Sequence, residues 1–443
     1  MSPPPGYSAS IASKSDFGAK RIPQRDAFAG KLDMLRKFAS FAGPGYLIAV
    51  GYMDPGNWAT DIAGGSKFGY ALIPAIFLSN FAAMFLQWLS LRLGIATGRD
   101  LAQMCRERFS PRVAKLMWVA CEVAIVSCDL AEVIGTAIAL QLLFHLPLIW
   151  GVVATSLDTL VLMGLQKCGF RYMEAFVMAL IVVIAGCFAF EMLCCSPSVG
   201  QIASSLIPGR ATLANPEALY IALAIFGATV MPHNLYLHSS IAQTRVQGTT
   251  PAAKKDAIRY STADCFTALT FALLINAAIL ILAAAAFHAS GRTGVAEIQD
   301  AYKLLTPVLG ASLASVVFAV ALLASGQNST LTGTMAGQIV MEGFLGLKMN
   351  PCLRRVLTRG LAIVPAGIAA VLYGDSGTAQ LLIFSQVVLS LQLGFAVVPL
   401  VMFTGNSEIM GAFVNKSWVK LAGYALSVVV IGINLWLVTR VLI

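Results

Sequence analysis

Long apolar runs separated by short polar intervals set the pattern of this chain. From Gly43 onward, runs of about 20 apolar residues recur, each long enough as a helix to cross a hydrocarbon core of about 30 Å. They predict eleven spans, near 43–63, 70–95, 113–139, 147–166, 171–193, 217–243, 259–288, 306–343, 354–373, 377–404 and 418–441. Backbone polar groups in lipid must be satisfied within their own segment, so such runs predict helices. The chain therefore reads as an all-α integral membrane protein with 11 transmembrane helices. The eighth run exceeds one plain crossing and is expected to continue as a helix beyond the bilayer. Residues 1–41 are rich in Ser, Pro, Lys and Arg and lack an apolar h-region. They read as a disordered cytosolic tail, not a cleavable signal peptide.

Two runs are interrupted by the same kind of segment. Asp54-Pro55-Gly56-Asn57 lies in the first span, and Met231-Pro232-His233-Asn234 lies in the sixth. Proline removes a backbone donor and clashes with the preceding turn, so both helices should unwind there. Broken backbone at membrane depth survives only where it is buried or lines a cavity. The two breaks open successive sets of five spans, 42–194 and 195–405. Five is odd, so the second set enters from the opposite side: a 5+5 inverted repeat with broken helices 1 and 6. Residues 406–443 add helix 11. Paired broken helices in two inverted halves point to a transporter's binding site.

Composition and charge narrow the class. The chain is 58% apolar and 12% charged, whereas a soluble domain carries roughly 25% charged residues. A soluble enzyme is excluded. Basic residues crowd the tail and the even-numbered connections, such as Arg99, Arg106, Arg108 and Arg112, then Arg245, Lys254, Lys255 and Arg259. Odd-numbered connections hold only Lys67, Arg210, Arg292 and Lys303. By the positive-inside rule the N-terminus is cytoplasmic and, with eleven spans, the C-terminus is outside. The same asymmetry accounts for the net charge of +9 without nucleic acid. The nine cysteines show neither CxxC nor zinc-finger spacing and read as small buried hydrophobes. With no nucleophile–base set and no cofactor motif, neither an enzyme nor a resident cofactor is expected. The lipid bilayer is the one large partner, and a monomer is expected to suffice.

Polar residues within the spans carry the chemistry. A carboxylate at Asp54 costs at least about 2.5–3.5 kcal/mol on insertion scales, so it needs a cation, a proton or a partner. Its bland role is to cap the helix that resumes after Pro55. Asn57 offers an amide oxygen. Met231 would elsewhere be core filler, but opposite an aspartate it becomes a thioether donor. Soft sulfur favours late first-row metals over Mg²⁺ and Ca²⁺. Exposed carbonyls of Gly51 and Ala228 would complete the set, with Gln386 in span 10 a further candidate. His233 could carry protons near physiological pH, and His238 less directly so. Glu122, Asp129 and Glu132 line one stripe of span 3, a proton-relay pattern with Arg354, Arg355 and Arg359 of span 9 as counter-charge. The alternative for these acids is a static salt-bridge network. Asn276, Gln327 and Asn328 are secondary candidates, used more often for interhelical hydrogen bonds.

The motifs resemble those of the Nramp family of proton-coupled divalent-metal transporters, in its bacterial manganese/iron branch. The match is carried by Asp54-Pro55-Gly56-Asn57-Trp58-Ala59-Thr60-Asp61, by Thr97-Gly98-Arg99-Asp100-Leu101, and by Gly227 through Ser239 around Met231-Pro232-His233. The resemblance extends over about 40–440. It implies a LeuT-like fold, metal ligands at Asp54, Asn57 and Met231, and a proton route through the span-3 acids and His233. It also implies Mn²⁺ or Fe²⁺, with Cd²⁺ or Co²⁺ also carried, and H⁺ as cargo across the bacterial inner membrane. Two positions depart from the family pattern: Gly394, where proline is expected, and Gly51, where a residue such as alanine is usual. Magnesium-handling relatives lack the methionine. A same-fold amino-acid transporter would present neutral, glycine-rich breaks.

Overall fold

The computed structural model describes residues 43–158, 164, 169–246, 248, 250–347, 349–374 and 377–442. The tail read at 1–41 lies outside them, as does most of 159–168 at the end of the fourth run. Described residues are largely helical, with short helices such as Val199–Ser204, Arg210–Ala214 and Ser407–Met410 in the connections between the longer ones. Helix α1 spans Pro44–Gly51, α2 Pro55–Phe68, α3 Ile73–Thr97, α4 Leu101–Arg108 and α5 Pro111–Phe144. There follow α6 Leu148–Ala154, α7 Phe170–Cys195, α8 Pro216–Thr229, α9 Pro232–Ile241 and α10 Pro251–Ala283. The remainder are α11 Ile298–Leu309, α12 Ala314–Leu345, α13 Pro351–Tyr373, α14 Thr378–Gly405 and α15 Ser417–Leu442.

Proline opens α1, α2, α5, α8, α9, α10 and α13. Its fixed φ suits the first helical position, where its missing N–H has no intrahelical partner to lose. Side-chain caps sharpen several of these starts: Asp54 for α2, Ser110 for α5, Asn215 for α8 and Thr250 for α10. So the prolines that break a membrane run are the same residues that start its second half.

Nine helical stretches among the described residues are long and apolar enough to cross a membrane. The expectation was eleven. The first difference is that α2 and α3 join through a 3₁₀ turn, Gly69–Leu72, into one stretch from Pro55 to Thr97. The second is that the fourth run is a short apolar helix, Leu148–Leu157, before it leaves the described residues. The eighth run also departs from its reading as one helix over 306–343. Gly310, at φ 67, ends α11 with a left-handed cap, and α12 begins anew at Ala314. At 32 residues α12 is about 48 Å long, still more than one crossing needs.

The broken helices occupy the centre. Residues 47–66 and 224–239 are buried without exception. Helix α10 packs along α1, α2 and α3, while α5 packs against α12, α13 and α14. Helices α7, α13 and α15 lie at the edge and point Leu193, Val371, Leu421 and Val428 outward, the arrangement expected for faces in contact with lipid. Helices approach closely where side chains are small. At Gly135 of α5 a Cβ would lie 2.2 Å from Cβ of Pro55 and 2.3 Å from its Cγ. The proline ring cannot fold away, so Gly135→Ala must displace the start of α2 from α5. Overpacking of this kind costs about 1–3 kcal/mol. We expect the variant to insert but to melt earlier in detergent and to transport poorly; melting and transport equal to the parent would show that α2 is not held there.

Candidate functional site between the broken helices

At the first break α1 ends at Gly51, and Tyr52–Asp54 run outside the helices before Pro55 restarts them. The freed carbonyls find partners from other helices. The Tyr52 carbonyl accepts from Asn276 Nδ2 at 2.7 Å, and the Met53 carbonyl accepts from Trp58 Nε1 at 3.2 Å and from Ser325 Oγ. Buried backbone groups without such partners would make the break too costly. Asn276, a secondary candidate in the sequence, thus braces the break.

Asp54 divides its two oxygens between two roles. Oδ1 caps α2, accepting from the Asn57 backbone N–H at 2.9 Å and from Asn57 Nδ2 at 2.6 Å. Oδ2 is buried and has no hydrogen-bond partner. The bland capping role is therefore present but uses only half of the carboxylate.

At the second break α8 ends at Thr229, Met231 is extended at φ −68 and ψ 116, and Pro232 starts α9. Breaking α8 frees the Ala228 carbonyl, which accepts from Asn57 Nδ2 at 3.2 Å. The Gly51 carbonyl lies 3.5 Å from the same nitrogen. One amide of Asn57 therefore faces Asp54 Oδ1 and a carbonyl from each break. A half-turn of that amide would place its oxygen among the other three. Met231 Sδ accepts from Asn234 Nδ2 at 3.7 Å. A Cβ on Gly51 would lie 2.3 Å from that Nδ2 and 3.1 Å from Sδ, so glycine at this unusual position leaves room for both side chains. Gln386 of α14 reaches the break too: a Cβ on Gly56 would lie 1.8 Å from its Nε2 and 3.1 Å from Asp54 Oδ2. Gln386 Oε1 has no hydrogen-bond partner. All six residues read as a cation site, Asp54, Asn57, Met231, Ala228, Gly51 and Gln386, converge on the two breaks. By contrast α14 runs unbroken through Gly394, where a Cβ would meet Asn434 and Ile431 at an ordinary 3.9 Å. Nothing in the structure explains the glycine there.

The acids of α5 face the arginines of α13. Arg354 Nη2 lies 2.9 Å from Glu122, Arg355 Nη1 2.8 Å from Asp129, and Arg359 Nη1 3.5 Å from Glu132. Arg355 Nη2 also approaches Glu132 at 3.8 Å. Thr330 Oγ1 donates to Glu132 Oε2 at 3.0 Å. Except for Glu122, these acids are almost wholly buried. His233 is buried next to Pro232, with Nδ1 lacking a partner. His238 Nδ1 instead meets Gln87 Oε1 at 2.9 Å, and Gln87 Nε2 donates to the Tyr52 hydroxyl at 3.0 Å.

Sequence reading passed over several polar residues. Asp158 takes the second edge of Arg359 at 3.1 Å. Tyr52 and Gln87 tie His238 to the first break. Cys128 Sγ lies 3.8 Å from Glu132 Oε1. The intramembrane acid Asp158 was a legible signal in a fourth run otherwise apolar. Gln87 and Cys128 give no such signal, since uncharged polar residues are common in membrane helices. Among the described residues no three His, Cys, Asp or Glu side chains group as a metal cluster. A site of one carboxylate, amides, carbonyls and a thioether would not form such a group.

Two buried breaks that meet over an unpaired carboxylate oxygen define a membrane transporter, not an enzyme. The family described as natural resistance-associated macrophage protein-like (Nramp) matches residues 45–440. The chain belongs to the Nramp family. It is 57% identical over 420 residues to the "divalent metal cation transporter MntH" of Nostoc sp., covering 95% of this chain and 94% of that one. It is 59% identical over 402 residues to the protein of the same name from Listeria welshimeri, covering 91% and 90%. Among solved structures, it superposes on the Eremococcus coleocola manganese transporter in complex with an aromatic bis-isothiourea substituted compound. That match has a TM-score of 0.86 and 38% identity, and it covers 96% of this chain and 89% of that one. Mhp1, a nucleobase-cation-symport-1 transporter in a closed conformation, shares the fold alone, with a TM-score of 0.56 at 17% identity.

Proposed function

We propose that this protein carries divalent transition-metal ions, Mn²⁺ or Fe²⁺ and also Cd²⁺ or Co²⁺, into the cell together with protons. The unpartnered Asp54 Oδ2, beside Met231, Asn57 and the carbonyls of Gly51 and Ala228, supports this reading most. It gives a cation one full negative charge, neutral oxygens and one soft donor, a set weak enough to release its cargo. The relatives' names, divalent metal cation transporter and manganese transporter, agree with it. A Mg²⁺-type carrier would gain nothing from the thioether. An amino-acid carrier of the same fold would have no use for a buried carboxylate at its first break.

In this reading the halves 42–194 and 195–405 form inverted five-helix repeats, 406–443 supplies an eleventh helix, and the site opens alternately to either side. The N-terminus is cytoplasmic, the C-terminus is outside, and a monomer in the bacterial inner membrane suffices. Protons pass by way of His233, Glu132, Asp129 and Glu122, with Arg354, Arg355 and Arg359 holding the acids in register. Sealed vesicles with an imposed pH gradient provide the test. Mn²⁺ uptake should rise with outside acidity and should carry protons inward; metal uptake indifferent to the gradient would refute proton coupling. Met231→Ala leaves an all-oxygen site. Cd²⁺ should then lose its preferred donor while excess Ca²⁺ begins to compete with Mn²⁺. Unchanged discrimination against Ca²⁺ would return Met231 to core filler.

A further inference from the structure

Met231 does not join the main core. It packs instead in a small separate cluster with Ala124, Cys128 and Leu389. Cys128 belongs to α5, one turn before Glu132, and is 3% exposed. Of the seven cysteines whose side chains are described it is the one in this cluster. Its one hydrogen-bond partner is Glu132 Oε1, at 3.8 Å, a length at which sulfur bonds weakly. A second observation makes the sulfur more than a packing residue. Met231 itself lies against the first break: a Cβ on Gly51 would lie 3.1 Å from its Sδ, the Asn57 amide faces both the Gly51 carbonyl and Asp54 Oδ1, and the buried Asp54 Oδ2 has no partner. A thiol, a thioether and an unpaired carboxylate oxygen thus share one buried region, where three helical segments meet.

We propose that Cys128 gives the cargo site a second sulfur and, with Met231, sets its preference for soft divalent cations over Mn²⁺. The proposal rests on the reading of Asp54 and Met231 as the cargo site. Sulfur is polarizable, and a cation such as Cd²⁺ gains from each sulfur it meets, whereas Mn²⁺ accepts oxygen as readily. Two sulfurs on facing helices bias the site further than one, without adding charge that would trap the ion. The acid row does not need Cys128: Asp129 and Glu132 are already held by Arg355, Arg359 and Thr330.

The test is equilibrium binding of Cd²⁺ and of Mn²⁺ to the purified full-length protein, compared with Cys128→Ser, Cys128→Ala and Asp54→Ala. In both Cys128 variants we expect Cd²⁺ to bind about tenfold more weakly, or about 1.4 kcal/mol, with Mn²⁺ within about twofold of the parent. Retained Mn²⁺ binding reports that the site is folded. Cd²⁺ affinity within about twofold of the parent in both variants would overturn the proposal. So would equal loss of both metals, which would make Cys128 a packing residue. Asp54→Ala separates this inference from the reading beneath it. If that variant still binds Mn²⁺ as the parent does, the site itself is misplaced. If it loses Mn²⁺ while the Cys128 variants keep Cd²⁺, only the second sulfur is wrong.

Discussion

Asp54→Ala is expected to lower Mn²⁺ uptake by at least about a hundredfold, the effect of losing roughly 3 kcal/mol of charged interaction. The change removes two things at once. Oδ1 caps α2 through the Asn57 N–H at 2.9 Å, and Oδ2 supplies the unpaired negative charge. Loss of the cap alone costs about 1 kcal/mol of helix stability and would not stop transport. Asp54→Asn separates the two roles, since asparagine caps as well as aspartate but carries no charge. The Asn variant should melt like the parent and still fail to transport. Uptake near the parent level in correctly inserted Asp54→Asn would show that the carboxylate serves only as a cap.

The breaks were legible because proline and a buried charge violate the rules of a membrane helix at the same place. Asp54-Pro55 and Met231-Pro232 need no partner to be recognised as exceptions, and both breaks fall as expected. The ion pairs of α5 and α13 were legible for a similar reason: Arg354, Arg355 and Arg359 are too many charges for an apolar run unless acids face them. What stayed hidden depends on neighbours rather than on spacing. Cys128 looks like any small membrane residue until it packs with Met231. Gln87 gains its place only through Tyr52 and His238. The end of α11 was missed because one glycine, Gly310, stops a helix inside a run whose hydropathy hardly changes. Hydropathy measures burial in lipid and does not register a left-handed cap.

Arg355→Ala should be the most damaging change outside the breaks. Arg355 is 3% exposed and reaches Asp129 at 2.8 Å and Glu132 at 3.8 Å. Its removal would leave two buried carboxylates three residues apart on α5, with only Arg359 near, itself shared with Asp158 at 3.1 Å. Breaking a buried pair from one side costs about 3–5 kcal/mol, so melting in detergent should fall sharply and uptake should fail with it. That result alone would fit a static network as well as a proton route. Asp129→Asn and Glu132→Gln distinguish the two, because each keeps its shape and loses only the group that exchanges a proton. For a route, outside acidification should no longer accelerate uptake in either variant, while Mn²⁺ affinity stays within about twofold of the parent. A static network predicts the reverse: the pH profile of the parent, with lowered melting where an arginine has lost its counter-charge. Vesicle uptake across a series of outside pH values, run beside equilibrium Mn²⁺ binding, decides between them. If both variants keep the parent's pH profile, the acids of α5 brace α13 and protons enter elsewhere.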